Sequence, residues 1–239
     1  MLLLEGKHLI KQFGGLSALV EVTFEIYQGE IVGLIGPNGA GKTTLFNLIS
    51  GALIPNAGSI SFKGGNLTGL KPYKICRKGV ARTFQDVKIF PSMTILENVL
   101  SGALFGASNR KSRVHGMQEV MGILDFVGLS VMETTPARDL TLANQKRLEV
   151  ARALITKPEL LLLDELIAGL NPTEVAEAME LITRIRDMGV TIFMIEHVMK
   201  AIMGICDRIL VLHHGVKIAE GTPLEIASNQ TVIDIYLGE

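Results

Sequence analysis

The stretch Gly36-Pro37-Asn38-Gly39-Ala40-Gly41-Lys42-Thr43-Thr44 constrains this chain more than any other. It fits the pattern G-x-x-x-x-G-K-[ST]. Its flanks are the ones the pattern needs: the apolar run Ile31 to Ile35 has strand character, and Leu45 onward continues as a helix. Glycines allow positive φ and close backbone approach to a ligand. Consecutive N–H groups then turn inward at a helix N-terminus, where the dipole also favours an anion, so the stretch forms a nest for phosphate. Lys42 would reach the β- and γ-phosphates. The Thr43 hydroxyl would ligate Mg²⁺, and Thr44 would sit near the α-phosphate.

The remaining composition narrows what surrounds that loop. With 23 Lys and Arg against 24 Asp and Glu, the net charge of −1 carries no electrostatic footprint for nucleic acid. Hydrophobic residues make up 48% of the 239 positions, yet no apolar run approaches the length of a membrane span. The excess points to buried parallel strands and to a surface that docks a partner. Leu2-Leu3-Leu4, followed by Glu5, is too short for a secretory signal. Cys76 and Cys206 lie far apart without metal-ligand spacing, and read as packing residues of a reduced cytosolic protein.

Along the chain, Leu2 to Leu4, Val22 to Ile26 and Ile60 to Phe62 read as strands, with turns at Gly14-Gly15, Gln28-Gly29 and Gly64-Gly65. Phe13 stands before the first turn, where base rates favour core packing. Gln85 follows a short strand-like run. Thr94 or Ser92 can cap a helix, Glu97 completing a capping box on Thr94. Gly106 to Arg113 is a polar, basic loop. Residues 114 to 127 return to helical spacing, with Val120, Ile123, Leu124 and Val127 on one face. Thr141 or Asn144 caps the next helix, whose stripe is Leu148, Ala151 and Leu154-Ile155. Leu160 to Leu163 suits a strand buried on both faces. Asp164 and Glu165 close it at the end where parallel sheets bind ligands, and where a phosphate loop needs a partner for Mg²⁺. An amphipathic helix over 173–188 precedes the strand Thr191 to Ile195, which runs into Glu196-His197; a histidine there is on base rates a surface residue. A helix over 199–206, a hairpin across His213-His214-Gly215 and one last helix over 224–237 finish the chain.

The order of these pieces resembles the ATP-binding cassette (ABC) ATPases over the whole chain. Gly79 to Gln85, Ala168-Gly169-Leu170-Asn171-Pro172, Ile195 to Lys200, Ile202 to Arg208 and Tyr236 to Glu239 look like the ATP-binding subunits of branched-chain amino-acid importers. The resemblance implies an α/β fold: a P-loop NTPase core of RecA type with an antiparallel β subdomain, over 1–87 and 156–239, and an inserted α-helical signature subdomain over 88–155. It implies ATP and Mg²⁺ as ligands. It implies a catalytic group of Glu165 as general base, His197 at the γ-phosphate and Gln85 linking Mg²⁺ and the attacking water to the membrane subunit. Phe13 would stack on adenine, residues Gly36 to Thr44 would hold the phosphates, and Thr43, Gln85 and Asp164 would hold the metal. Thr141 and Ala143 would touch the nucleotide of a second cassette, in a homodimer or heterodimer.

The resemblance further implies separate permease subunits in the membrane, a solute-binding protein acting through them, and a peripheral position on the cytoplasmic face. Three positions depart from the family pattern: Leu140-Thr141-Leu142-Ala143-Asn144 replaces Leu-Ser-Gly-Gly-Gln, Leu166 replaces proline, and Asn171 replaces aspartate. If Ala143 had to adopt a glycine-only conformation, the signature would be strained. Other readings are a urea or amide importer and a soluble ABC ATPase of cofactor assembly. A GTPase switch would need N-K-x-D, and the sequence has none.

Overall fold

A computed structural model of the chain describes residues 1–104 and 113–237. In chain order the elements are β1 (Leu2–Phe13), β2 (Leu16–Tyr27), β3 (Ile31–Ile35), α1 (Lys42–Ile49), β4 (Ala57–Phe62), β5 (Gly65–Asn66), α2 (Pro72–Arg77) and β6 (Val80–Arg82). They continue with α3 (Ile95–Ala103), α4 (Arg113–Phe126), α5 (Leu142–Leu154), β7 (Leu160–Asp164), α6 (Pro172–Asp187) and β8 (Thr191–Ile195). The chain closes with α7 (Met199–Ile205), β9 (Arg208–His213), β10 (Val216–Gly221), α8 (Pro223–Ala227) and α9 (Gln230–Leu237).

Two sheets form. An antiparallel sheet runs β2-β1-β4-β5, and a six-stranded sheet runs β10-β9-β3-β8-β7-β6. In the second, β6, β7, β8, β3 and β9 are mutually parallel and only β10 is antiparallel. The central strands are apolar throughout because both faces are covered. Their residues divide by parity, as the two-residue strand period requires. Ile31, Ile35, Leu161, Leu163, Ile192, Met194, Ile209 and Val211 enter one core, with the helices. Val32, Leu34, Leu160, Leu162, Phe193, Ile195, Leu210 and Leu212 enter the other, with α1 and the small sheet. Gly33 interrupts the first face for a steric reason: a Cβ there would stand 3.1 Å from Cys206 Sγ and 3.2 Å from Ile202 Cδ1, so it lets α7 lie close. Cys206 is thus a packing residue.

The inserted segment is helical, with α3 packed on α4 and α5. Thr94 caps α3 through a capping box with Glu97, and Thr141 caps α5 by accepting from the Asn144 N–H. Val120, Leu124 and Val127 are buried on the face of α4 that the spacing gave them, with Ile123 beside them. The basic segment read as a loop lies outside the described residues, except that Arg113 already belongs to α4. The single last helix is corrected to two. Ser228 closes α8, and Asn229 Oδ1 accepts from the Val232 N–H at 3.2 Å to open α9. The short helix α2, started by Pro72, was not foreseen. The His214-Gly215 turn joins β9 to β10 with positive φ at both residues, the geometry of a two-residue hairpin.

Phe193 joins the layers. It is fully buried, with ring centroids 5.0 Å from Phe46 of α1 and 5.9 Å from Phe24 of β2. Phe193→Ala is expected to cost about 3–5 kcal/mol of unfolding free energy, read by chemical denaturation. A loss below about 1 kcal/mol would mean that the two layers are held elsewhere.

Candidate active site

Every candidate catalytic residue leaves the C-terminal edge of the parallel sheet. The phosphate loop follows β3, Gln85 follows β6, Asp164 and Glu165 end β7, and Glu196-His197 follow β8. The parallel pairing of β6 with β7 and of β7 with β8 therefore delivers Gln85, Glu165 and His197 to one lip.

The loop enters α1 through Gly41, at φ 102°, with neither a side-chain cap nor an acidic residue in the first turn. The N–H groups of that turn have no carbonyl partners within the helix, which leaves them for an anion. Steric room is settled by the neighbours. A Cβ on Gly36 would meet Leu212 O at 2.1 Å, and one on Gly41 would meet Ala18 O at 2.5 Å. The His214-Gly215 turn presses on the same loop, with Gly215 N donating to Ala40 O at 3.0 Å and Val20 N to Gly215 O at 2.8 Å. Lys42 folds over the loop, its Nζ 2.6 Å from Gly36 O and 2.9 Å from Pro37 O. Burial lowers its proton affinity, and Glu165 and Asp164 pull the other way.

Together Phe13, Asn38 to Thr44, Gln85, Glu165, His197 and His214 line a cavity of ≈ 580 Å³. Phe13 is not core: it is 47% exposed on the rim, with Lys11 Nζ 5.2 Å from its ring centroid. Across the cleft, Glu165 is held at both carboxylate oxygens. Gln85 Nε2 donates to Oε2 at 2.9 Å, and His197 Nε2 bonds Oε1 at 2.9 Å.

Asp164 lies deeper. Its Oδ2 pairs with Arg82 at 2.7 Å, and Arg82 also donates to Asn47 Oδ1 of α1 and to Oγ of Ser50, which closes that helix. Burial pushes Asp164 above the usual carboxylate range, and Arg82 opposes that. Its Oδ1 is buried with no hydrogen-bond partner among the described residues. An orphaned carboxylate oxygen is a hard donor of the kind that suits Mg²⁺, and Thr43 and Gln85 add oxygen donors in the cleft that Glu165 lines. Among the described residues no cluster of three His, Cys, Asp or Glu competes for a metal.

Thr141 and Ala143 do not join this cavity. They sit at the start of α5, away from this chain's own phosphate loop. Leu142 and Ala143 are ordinary helical residues, absent from the positions with positive φ. The strain considered for Ala143 is therefore corrected: the segment enters the helix directly, and what differs from a glycine pair is side-chain clearance and backbone freedom. Arg82 and His214 were missed. Arg82 lies within Gly79 to Gln85, and its role becomes visible only through the β6–β7 pairing. His214 read only as a turn.

Two buried carboxylates flank the site. Glu196 is pushed up to about 7, with burial as the first cause, although its Oε1 accepts from Ile167 N at 2.7 Å. Glu149 of α5 is also raised to about 7 by burial, while it accepts from the N–H groups of Phe84 and Lys88, both at 3.2 Å.

A family profile described as ABC transporter matches residues 19–168, and one described as branched-chain amino acid ATP-binding cassette transporter matches residues 216–239. The high-affinity branched-chain amino acid transport ATP-binding protein LivG of Escherichia coli K12 is 44% identical over 250 aligned positions, covering 99% of this chain and 98% of that protein. The corresponding BraF of Pseudomonas aeruginosa is 40% identical with the same coverage. A solved nucleotide-free ATP-binding cassette from an ABC transporter superposes with a TM-score of 0.92 at 30% identity over all of both chains. The ADP conformation of such a cassette gives the same values.

The raised affinity of Glu196 for its proton has a measurable consequence. Between about pH 5 and 7 the folded chain keeps a proton there that the unfolded chain has released, so stability falls as pH rises, by on the order of 1 kcal/mol per pH unit. Glu196→Gln is expected to reduce that fall in urea titrations across the same range, leaving the part that Glu149, also raised to about 7, contributes. An unchanged slope would mean that Glu196 titrates normally.

Proposed function

From the premise that the chain belongs to the ABC transporter family, as an ATP-binding subunit of its branched-chain amino-acid division, we propose that it hydrolyses ATP to drive uptake of branched-chain or related amino acids. The observation that carries the hydrolytic reading is Glu165 at the cleft's lip, with both carboxylate oxygens oriented by Gln85 and His197.

Phosphates lie along the N–H groups of the loop and first turn, with Lys42 at the β- and γ-phosphates and Phe13 against the adenine. Thr43, Gln85 and Asp164 would hold Mg²⁺, which when bound neutralises charge on the β- and γ-oxygens. Glu165 accepts the proton of a water aligned for in-line attack on the γ-phosphorus, and His197 keeps that carboxylate in place. The leaving ADP oxygen departs along the loop.

A second cassette, identical or different, would offer its own signature to this nucleotide, while Thr141 and Ala143 of this chain face the partner's. Among the described residues no helix is long and apolar enough to cross a membrane. We place the chain peripherally on the cytoplasmic face, bound to separate permease subunits that a solute-binding protein serves.

The permease contact falls beside Gln85. Of the apolar residues that follow Gln85, Ile89 packs into the core, whereas Phe90 and Met93 are 45% and 39% exposed. An apolar groove of ≈ 370 Å³ opens next to them, lined by Tyr73, Phe84, Lys88, Glu149 and Arg152 among others. It suits the helix-in-groove mode for a short permease helix.

In the complex assembled with its permease, Glu165→Gln is expected to keep ATP binding and lower kcat by on the order of 10²–10⁴-fold. Turnover near the parent rate would remove the general-base assignment. Phe90→Glu should leave ATP binding by the isolated chain intact while reducing complex assembly or coupled transport. Unaltered transport in proteoliposomes would move the permease contact elsewhere.

A further inference from the structure

We infer that Lys146 is a positioning residue for Glu165, acting through main-chain carbonyls; the inference rests on Glu165 being the general base. Lys146 projects from α5 and is 5% exposed. Its Nζ donates to Glu165 O at 2.9 Å and to Ala168 O at 2.6 Å. Burial lowers its proton affinity, and the nearby Glu196, Glu149 and Glu165 raise it. A buried ammonium that spends its donors on two backbone carbonyls is holding a conformation.

That conformation is unusual. Glu165 has φ 52°, a left-handed backbone that residues other than glycine seldom adopt unless their surroundings impose it. The turn from Glu165 to Ala168 is pinned toward β8 by Glu165 N to Ile195 O at 2.9 Å and by Ile167 N to Glu196 Oε1 at 2.7 Å. Lys146 supplies a further hold, from α5. Its carbonyl contacts fix the peptide that follows the Glu165 side chain, and so the direction in which the carboxylate leaves β7.

The same helix touches the turn one residue later. A Cβ on Gly169 would lie 3.1 Å from Leu142 Cδ2, so Leu142 packs directly on this glycine. Leu142 and Lys146 are four residues apart on one face of α5. The start of α5, where Thr141 and Leu142 are exposed, is thereby in contact with the turn that carries the base.

The test uses the chain assembled with its permease, with Lys146→Met, which keeps length and removes the donors, and Lys146→Arg, which keeps them. Lys146→Met is expected to lower kcat by on the order of 10–100-fold with KM for MgATP changed less than about threefold, because misplacement of a catalytic group acts on the chemical step. Lys146→Arg should restore most of the loss. Amide hydrogen exchange in residues 165–170 should quicken in Lys146→Met while that of α5 stays as in the parent. Glu165→Gln run in parallel decides the general-base reading, and the exchange measurement decides whether Lys146 holds the turn even if that reading fails. A kcat within twofold of the parent, or unchanged exchange at 165–170, would overturn the inference. Should Lys146→Met not fold, Lys146→Gln is judged by the same two readouts.

Discussion

Five parallel strands buried on both faces set the terms for everything else. A strand such as Leu160–Asp164 or Thr191–Ile195 carries no polar side chain between its end residues. Polar groups can appear only where each strand emerges, and parallel pairing brings those exits to one edge. The phosphate loop, Gln85, Asp164-Glu165 and Glu196-His197 share an edge because their strands share a direction. The antiparallel sheet and the hairpin turn at His214-Gly215 then close over the loop from the other side, through Ala18, Val20 and Ala40.

Concentrating polar groups beneath a sheet edge carries a cost in desolvation. Arg82 and Asp164 are both almost fully buried, and losing one partner of such a pair typically costs 3–5 kcal/mol, because the other charge is left uncompensated. The site tolerates this because Arg82 has further acceptors in Asn47 and Ser50, which tie β6 and β7 to the helix carrying the phosphate loop. Glu196, Glu149 and Lys146 form a second buried group, in which burial pulls each away from its charged form while their mutual attraction opposes it. Burial of this kind makes the backbone at Phe84, Lys88, Glu165 and Ile167 depend on side chains from elsewhere in the sequence.

Much of this was legible in the residues, for identifiable reasons. The phosphate loop carries its own local physics, and four consecutive leucines followed by two acids have few other uses. Thr94 with Glu97, and Thr141, announce helix starts because capping acts within four residues. Phe13 and His197 could not be placed by local argument, since an aromatic before a turn or a histidine after a strand fits many settings. Only the family resemblance pointed them toward the cleft. Arg82 and Lys146 stayed hidden because their partners lie far off in sequence, Asp164 for the first and Glu165 and Ala168 for the second, and His214 because the cavity it lines is assembled from distant segments. The break at Ser228-Asn229 was hidden for the opposite reason. Apolar spacing continues across it, and only the Asn229 cap marks a new start.

The altered signature is best understood from the helix that carries it. In place of two glycines, Leu142 and Ala143 form the first turn of α5 with regular backbone, and the Thr141 hydroxyl accepts from the Asn144 N–H at 3.4 Å. A glycine pair there would be less costly to reshape and more costly to hold as helix, by about 1 kcal/mol per residue. The substitutions therefore trade freedom at the start of α5 for a preformed first turn. Leu142 adds a contact that glycine cannot make, its side chain lying on Gly169 beside the turn that bears Glu165. The departure from the family pattern thus adds a contact between α5 and this chain's own site, at a residue that is still 44% exposed.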